Sequence, residues 1–229
     1  MKISIIIPCF NEEKTISLII NKILSNYSGD KEIIVIDDCS SDNTRKILNT
    51  DLQDKVDKLI LNTRNYGKGY SIRKGINVAE GDIVLIQDAD LEYDPFDYNK
   101  LISPIEKGVA DVVYGSRFLG GEEKRVLYFW HTLGNKLLTI FSNMFTNLNL
   151  TDMEVGYKLF KSNVLKDINL VENRFGIEPE VTAKISKKKI RIFEVGISYY
   201  GRKYEDGKKI TWRDGFSAIR CIVKYNLFD

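Results

Sequence analysis

The sequence predicts an α/β protein: a Rossmann-like, doubly wound, mostly parallel sheet with helices on both faces and a smaller C-terminal region beside it. Three observations carry that expectation. Short, almost wholly apolar runs alternate with stretches of helical periodicity through the first half of the chain, as parallel strands joined by crossover helices require. Polar motifs follow directly on several of these runs, beyond the carboxyl ends of the strands, where such sheets bind ligands. The 229 residues are 43% hydrophobic and 29% charged, with 4 Pro and 16 Gly. That balance supports one sizeable core and excludes a collagen-like or low-complexity chain.

Taken in order, residues 3–7 (ISIII) form a first strand buried on both faces. Residues 12–27 carry Ile16, Ile19, Ile20, Ile23 and Leu24 at helical spacing. Residues 32–36 (EIIVI) give a second strand, and Asp42 is placed to N-cap a short helix running to residue 49. Strands are expected over 56–61, 83–86 and 109–114, with a helix over 67–79. The second half is less regular. It offers a helix over 133–145 with Leu137, Leu138, Phe141, Met144 and Phe145 on one stripe, and another over 179–187. A strand over 190–195 and an amphipathic helix over 211–225, carrying Phe216, Ile219, Ile222 and Val223, complete it. Neither an internal repeat nor a Pro- or Ser-rich linker divides the chain, so 1–229 reads as one domain with halves 1–115 and 116–229.

Composition narrows the function classes. Three cysteines (Cys9, Cys39, Cys221) with no CxxC spacing argue against a disulfide framework and for a reducing, cytoplasmic setting. A single histidine makes a His-based zinc site unexpected. The N-terminus has no signal-peptide layout, and no run approaches the roughly 18 apolar residues of a spanning helix. The net charge of +2 is unevenly divided: residues 1–115 sum to −5 and residues 116–229 to +7. An acidic half joined to a basic half suggests metal-assisted chemistry at one end and an anionic partner at the other; no nucleic-acid partner is expected.

Three motifs carry the chemistry. Gln87-Asp88-Ala89-Asp90-Leu91-Glu92 follows an apolar strand. Two carboxylates two residues apart at a strand end suit a hard divalent cation, Mg2+ or Mn2+, that keeps positions open for phosphate oxygens, with Glu92 as a third oxygen ligand. Alone, such an acidic turn equally well caps the following segment. Asp37-Asp38-Cys39-Ser40-Ser41-Asp42 follows the second strand, and Asp38 is the better placed to accept a hydrogen bond from a base edge or a ribose. Pro8-Cys9-Phe10-Asn11-Glu12 leaves the first strand as a wall for a flat base, or simply as a strand–helix turn.

In this order and spacing, IIIPCFNEE, DDCSSDNT and QDADLE resemble family 2 glycosyltransferases with the GT-A fold. Gly115-Ser116-Arg117-Phe118, Leu133-Gly134-Asn135 and Arg202 with Lys208 resemble the branch of polyprenyl- and dolichyl-phosphate sugar synthases. The resemblance implies a nucleotide-sugar donor linked to GDP or UDP, its nucleoside lined by Pro8, Phe10, Glu12, Ile36 and Asp38. Asp88, Ala89, Asp90 and Glu92 would then sit at the metal and diphosphate, and Gly67-Lys68-Gly69 beside the nucleotide. Asn43 stands where the family motif has Gly, and Glu92 where this branch has Gln. Arg125 or His131 must replace a phosphate-binding arginine.

The acceptor expected on this resemblance is a polyprenyl phosphate. A phosphate is already ionised and needs no general base, only cations to hold it in line. Arg117, Arg125, Arg202, Lys203, Lys208 and Lys209 are the candidates, with Asp90, Arg117 and Arg202 as the catalytic set. Residues 184–225 hold 12 Lys and Arg against 4 Asp and Glu. If the acceptor is instead a hydroxyl, Asp152, Glu154, Glu178 and Glu180 are possible bases. The amphipathic stretches 133–145 and 216–225 suggest peripheral association with the cytoplasmic face of a membrane or with a membrane-embedded partner; core packing is their ordinary alternative. A nucleotidyltransferase or dinucleotide oxidoreductase would want a Gly-rich loop after the first strand, where PCFNEE stands. A non-catalytic subunit would not need the Asp88/Asp90 pair.

Overall fold

A computed structural model describes residues 1–120, 125–126, 128–202 and 212–229. The expected apolar runs form β1 (Ile3–Cys9), β2 (Lys31–Asp37), β3 (Lys58–Leu61), β4 (Ile83–Ile86), β5 (Val112–Ser116) and, later, β7 (Ile192–Gly196). Between them lie α1 (Ile16–Asn26), α2 (Thr44–Thr50), α3 (Lys68–Val78) and α4 (Tyr98–Glu106). The second half contributes α5 (Phe129–Thr146), β6 (Lys158–Lys161), α6 (Ser162–Lys166), α7 (Ile177–Ser186) and α8 (Trp212–Leu227). The seven strands lie in the order β3-β2-β1-β4-β6-β5-β7. β1 runs parallel to β2 and β4, and β2 to β3, while β6 is antiparallel to both its neighbours and β5 pairs parallel with β7.

β1 sits centrally because four of its side chains, Ile3, Ile5, Ile6 and Ile7, are fully buried; only a strand covered on both faces tolerates that. Its register puts Cys9 beside Asp37 of β2, and Ile6 beside Ile86, the last residue of β4. The segments following β1, β2 and β4 therefore leave the same edge of the sheet. β6, from the second half of the chain, is inserted between β4 and β5, so one sheet crosses both halves.

Several expectations shift. α1 begins at Ile16 rather than residue 12, because Glu12–Thr15 form a turn in which the Glu12 carbonyl accepts from the Thr15 and Ile16 amides. Asn43, not Asp42, is the N-cap of α2. Asp42 still accepts from the Thr44 amide at 3.0 Å and, across the turn, from the Glu13 amide at 3.1 Å. Asn43 has φ −75°, so it needs none of the left-handed freedom of the glycine it replaces; Asn11 and Cys39 are the residues near φ 51° and 63°. α4, β6 and α6 were not anticipated, and the strand over 56–61 begins at Lys58.

Candidate active site

The edge of the sheet is locked by crossed hydrogen bonds between its first two exits. The Asn11 amide donates to Ser40 Oγ at 2.9 Å, and the Ser41 amide to Asn11 Oδ1 at 2.8 Å. Asp38 is buried and accepts from three donors of the next loop: Asn62 Nδ2 at 2.8 Å, the Tyr66 amide at 2.9 Å and the Gly67 amide at 2.7 Å. A carboxylate so engaged fixes the start of α3, and with it Lys68. Gly67 (φ 103°), which lines the cavity, and Gly69 are required by packing: a Cβ on either would meet the backbone carbonyl oxygen of Asn173 or Glu172 at 2.4 Å.

Lys68 links the two halves of the protein. Its Nζ lies 2.8 Å from Asp88 Oδ1 and 3.1 Å from Glu178 Oε1. Burial works against its charge, yet Asp88 and Glu178 overcome that and hold it above the usual lysine range. Asp90 faces the other way, with Arg202 Nε 3.9 Å from its Oδ2. Arg202 arrives there because the chain after β7 runs antiparallel to the segment after Asp90. Tyr93 and Tyr199 form a bridge, and the Tyr200 amide donates to the Glu92 carbonyl at 2.9 Å. The Arg202 guanidinium also donates to both carboxylate oxygens of Glu12, at 3.2 and 2.7 Å. Glu92, expected as a third metal ligand, turns instead to this strap: Oε1 accepts from the Arg202 amide at 2.6 Å and Oε2 from Tyr199 Oη at 2.9 Å.

These groups line one cavity of about 810 Å3. Pro8, Phe10, Glu12 and Asp38 form one wall; Lys68, Asp88, Ala89, Asp90 and Glu92 lie deeper; Arg117, His131 and Arg202 come from the second half. Ile36 is not among the lining residues and is fully buried within the sheet. Arg125 also lies outside the wall: its amide donates to the Tyr199 carbonyl and its Nη1 to the Gly201 carbonyl, so it braces the strap. His131 is therefore the one of the two alternatives that reaches the cavity. Lys203, Lys208 and Lys209 lie outside the described residues. Arg117 is buried and clasped in two parallel bonds of 2.7 Å by Asp152, with the Tyr199 ring 5.3 Å from its guanidinium carbon. Sequence reasoning missed Tyr93, Tyr199 and Trp130, which also line the cavity; no spacing rule singles out such aromatics.

The donor set suits a hard divalent cation. Asp88 and Asp90 offer carboxylate oxygens to the cavity. Burial, Asp88 and Glu92 push the Asp90 carboxyl up to about 7 despite Arg202, the mark of too much negative charge in one place. Among the described residues no group of three His, Cys, Asp or Glu forms a complete cage. A cation here would take its remaining ligands from water and phosphate, as Mg2+ does.

The family model for glycosyl transferase family 2 matches residues 4–168. Undecaprenyl-phosphate 4-deoxy-4-formamido-L-arabinose transferase of Proteus mirabilis is 26% identical over 212 residues, covering 90% of this chain and 62% of that protein. Dolichol-phosphate mannosyltransferase of Pyrococcus furiosus is 29% identical over 228 residues, covering 98% and 63%. The chain thus spans about three-fifths of the length of these relatives. Glucosyl-3-phosphoglycerate synthase from Mycobacterium tuberculosis, crystallised with Mn2+ and UDP-glucose, superposes with a TM-score of 0.75 at 18% identity, over 98% of this chain and 79% of that one. The shared architecture is the GT-A fold.

Proposed function

The chain belongs to glycosyl transferase family 2, and from that premise we propose that it moves a hexose, of the mannose or glucose type, from a GDP- or UDP-linked donor to a polyprenyl phosphate with inversion. The observation that carries this reading is the cavity itself. It brings Asp88 and Asp90, at the sheet edge, into one space with Arg117, His131 and Arg202 from the second half. Carboxylates suited to a cation and the Arg202 guanidinium beside Asp90 share that space, which supports a reaction joining a cation-bound diphosphate to an anionic acceptor. Two relatives named for undecaprenyl-phosphate and dolichol-phosphate transfer support the acceptor class.

In this reading Asp88 and Asp90 hold Mg2+ or Mn2+, which neutralises the diphosphate leaving group. Pro8 and Phe10 flank the nucleoside, and Lys68 orients Asp88. Arg202, tied to Glu12 on the donor wall and facing Asp90, sets the acceptor phosphate against the donor. Arg117, neutralised by Asp152, positions Tyr199 and the strap rather than supplying a free positive charge. No base is required, because a phosphate monoester is largely ionised near neutral pH. Asp152 is committed to Arg117, and Glu180 to the Val171 and Glu172 amides and Lys184. The protein works at the cytoplasmic face of a membrane, through the exposed apolar side of α5.

The test is a panel of GDP- and UDP-sugars with a polyprenyl phosphate, scored for glycolipid. Transfer that needs Mg2+ or Mn2+ and falls by about a thousandfold or more in Asp90→Ala is expected. Full activity in that variant, or sugar transferred only to a free hydroxyl acceptor, overturns the reading.

A further inference from the structure

Two carboxylate oxygens in the cavity are buried with no hydrogen-bond donor: Glu154 Oε1 and Glu178 Oε2. Both residues line the cavity, and the Glu178 side chain is 8% exposed. Buried polar atoms are rarely left unpaired, and a carboxylate oxygen without a donor is costly. The neighbouring cations do not answer the need. Lys158 turns away, donating to the Met153 and Val155 carbonyls with its ammonium 4.6 Å from the centre of the Tyr114 ring. Lys68 is spent on Asp88 and on the other oxygen of Glu178.

The place of these oxygens is also fixed. Lys68 joins Glu178 directly to Asp88. Gly156, two residues past Glu154, lies so close to Asp88 that a Cβ there would come within 2.5 Å of Oδ2. The pair therefore borders the point at which the diphosphate is held in the reading above. The group attached to that diphosphate is the sugar.

We propose that Glu154 and Glu178 read the transferred sugar, accepting hydrogen bonds from its hydroxyl groups and rejecting sugars that carry a carboxylate. This rests on the cavity being the nucleotide-sugar site. A neutral hexose satisfies both oxygens with its own O–H donors. A hexuronate replaces the C6 hydroxyl with a carboxylate, which has no proton to donate and sets a second negative charge beside Glu178. Sites built to hydrogen-bond hydroxyls discriminate strongly on this ground. Burial, with Glu178 beside it, pushes the Glu154 carboxyl up to about 8, so near neutral pH Glu154 keeps its proton and the negative charge a further anion meets is that of Glu178.

The experiment is calorimetric binding of UDP and GDP, and of their hexose and hexuronate conjugates, in the presence of Mn2+. Wild-type protein is expected to bind the hexose conjugate at least about tenfold more tightly than the hexuronate. Glu178→Gln, which removes the negative charge and replaces one acceptor with an amide donor of the same shape, is expected to narrow that ratio about tenfold, with Glu154→Gln acting in the same direction but less. Equal affinity of the wild-type protein for the two conjugates, or an unchanged ratio in both variants while the bare diphosphate binds normally, overturns this inference alone. Failure of both bare diphosphates to bind overturns the reading of the site and this inference with it.

Discussion

Asp90 is the side chain on which proton and cation compete. Burial, Asp88 and Glu92 hold its carboxyl near 7, whereas the unfolded chain releases the same proton near pH 4. Without a cation, this group therefore favours the folded state at low pH, and that contribution is lost as pH rises from about 4 to about 7. A divalent cation must displace the proton. Mn2+ affinity is accordingly expected to rise by up to about tenfold per pH unit below 7 and to level off above it. Titration of free Mn2+ by electron paramagnetic resonance at several pH values measures this, and a flat profile contradicts it. At this scale the sequence was informative where spacing carries the chemistry. Pro8, Phe10, Asp88 and Asp90 all reach the cavity. It was uninformative where a side chain's partner comes from far away in the chain. Nothing local to Asp38 announces its bonds to Asn62, Tyr66 and Gly67, nor local to Glu92 its engagement by Tyr199 and Arg202.

Glycines at two element boundaries separate stability from site geometry. At Gly67, the residue before α3, φ is 103° and an added Cβ meets the Asn173 carbonyl oxygen, part of the backbone, at 2.4 Å. Gly67→Ala is expected to cost about 1–3 kcal/mol or more in unfolding free energy. At Gly156, just before β6, the added Cβ meets the side-chain ends of Asp88 and Lys68, at 2.5 and 3.2 Å, and the edge of the Tyr93 ring at 3.3 Å. Those ends can move, so Gly156→Ala should shift the melting temperature by no more than a few degrees while displacing Asp88. Mn2+ affinity is expected to fall about tenfold. A strongly destabilised Gly156→Ala, or one with native Mn2+ affinity, contradicts the geometry. Elements were legible where pattern and burial agree: the isoleucines of β1 and β2 are nearly all fully buried. β6 hid because Lys158 and Lys161 flank only Leu159 and Phe160, and the buried Lys158 finds its partners in the carbonyls of Met153 and Val155. α4 hid because Pro95 precedes it and Pro104 lies inside it.

Across the whole molecule, α5 reverses the usual arrangement of an amphipathic helix. It buries Thr139 and Ser142 and leaves Phe129, Trp130, Leu137, Ile140 and Met144 exposed, with Trp130 at 78% and Met144 at 76%. The single stripe expected from the sequence therefore divides: Leu138, Phe141 and Phe145 pack against the core, while Leu137 and Met144 face outward. α8, packed beside α5, adds Phe216 and Ile219 to the exposed apolar surface. Among the described residues no helix is long and apolar enough to cross a membrane. A surface so apolar on a protein of this size calls for a partner, and the cavity opens beside it, since Trp130 is exposed on α5 and also lines the cavity. A lipid phosphate lying in a bilayer could then present its headgroup to Arg202 without leaving the membrane. The wild-type protein is expected to float with vesicles containing anionic lipid. Burying each large apolar side chain is worth roughly 1.5–3 kcal/mol, so the triple variant Leu137→Ser, Ile140→Ser, Met144→Ser should bind vesicles at least about tenfold more weakly. Its melting temperature should hold, because all three side chains already face solvent. Its use of a short, water-soluble prenyl phosphate should also hold, because the cavity keeps its charged groups. If the triple variant floats as well as the wild type, α5 does not face the bilayer; if it also loses the short acceptor, the exposed face belongs to the cavity rather than to the membrane.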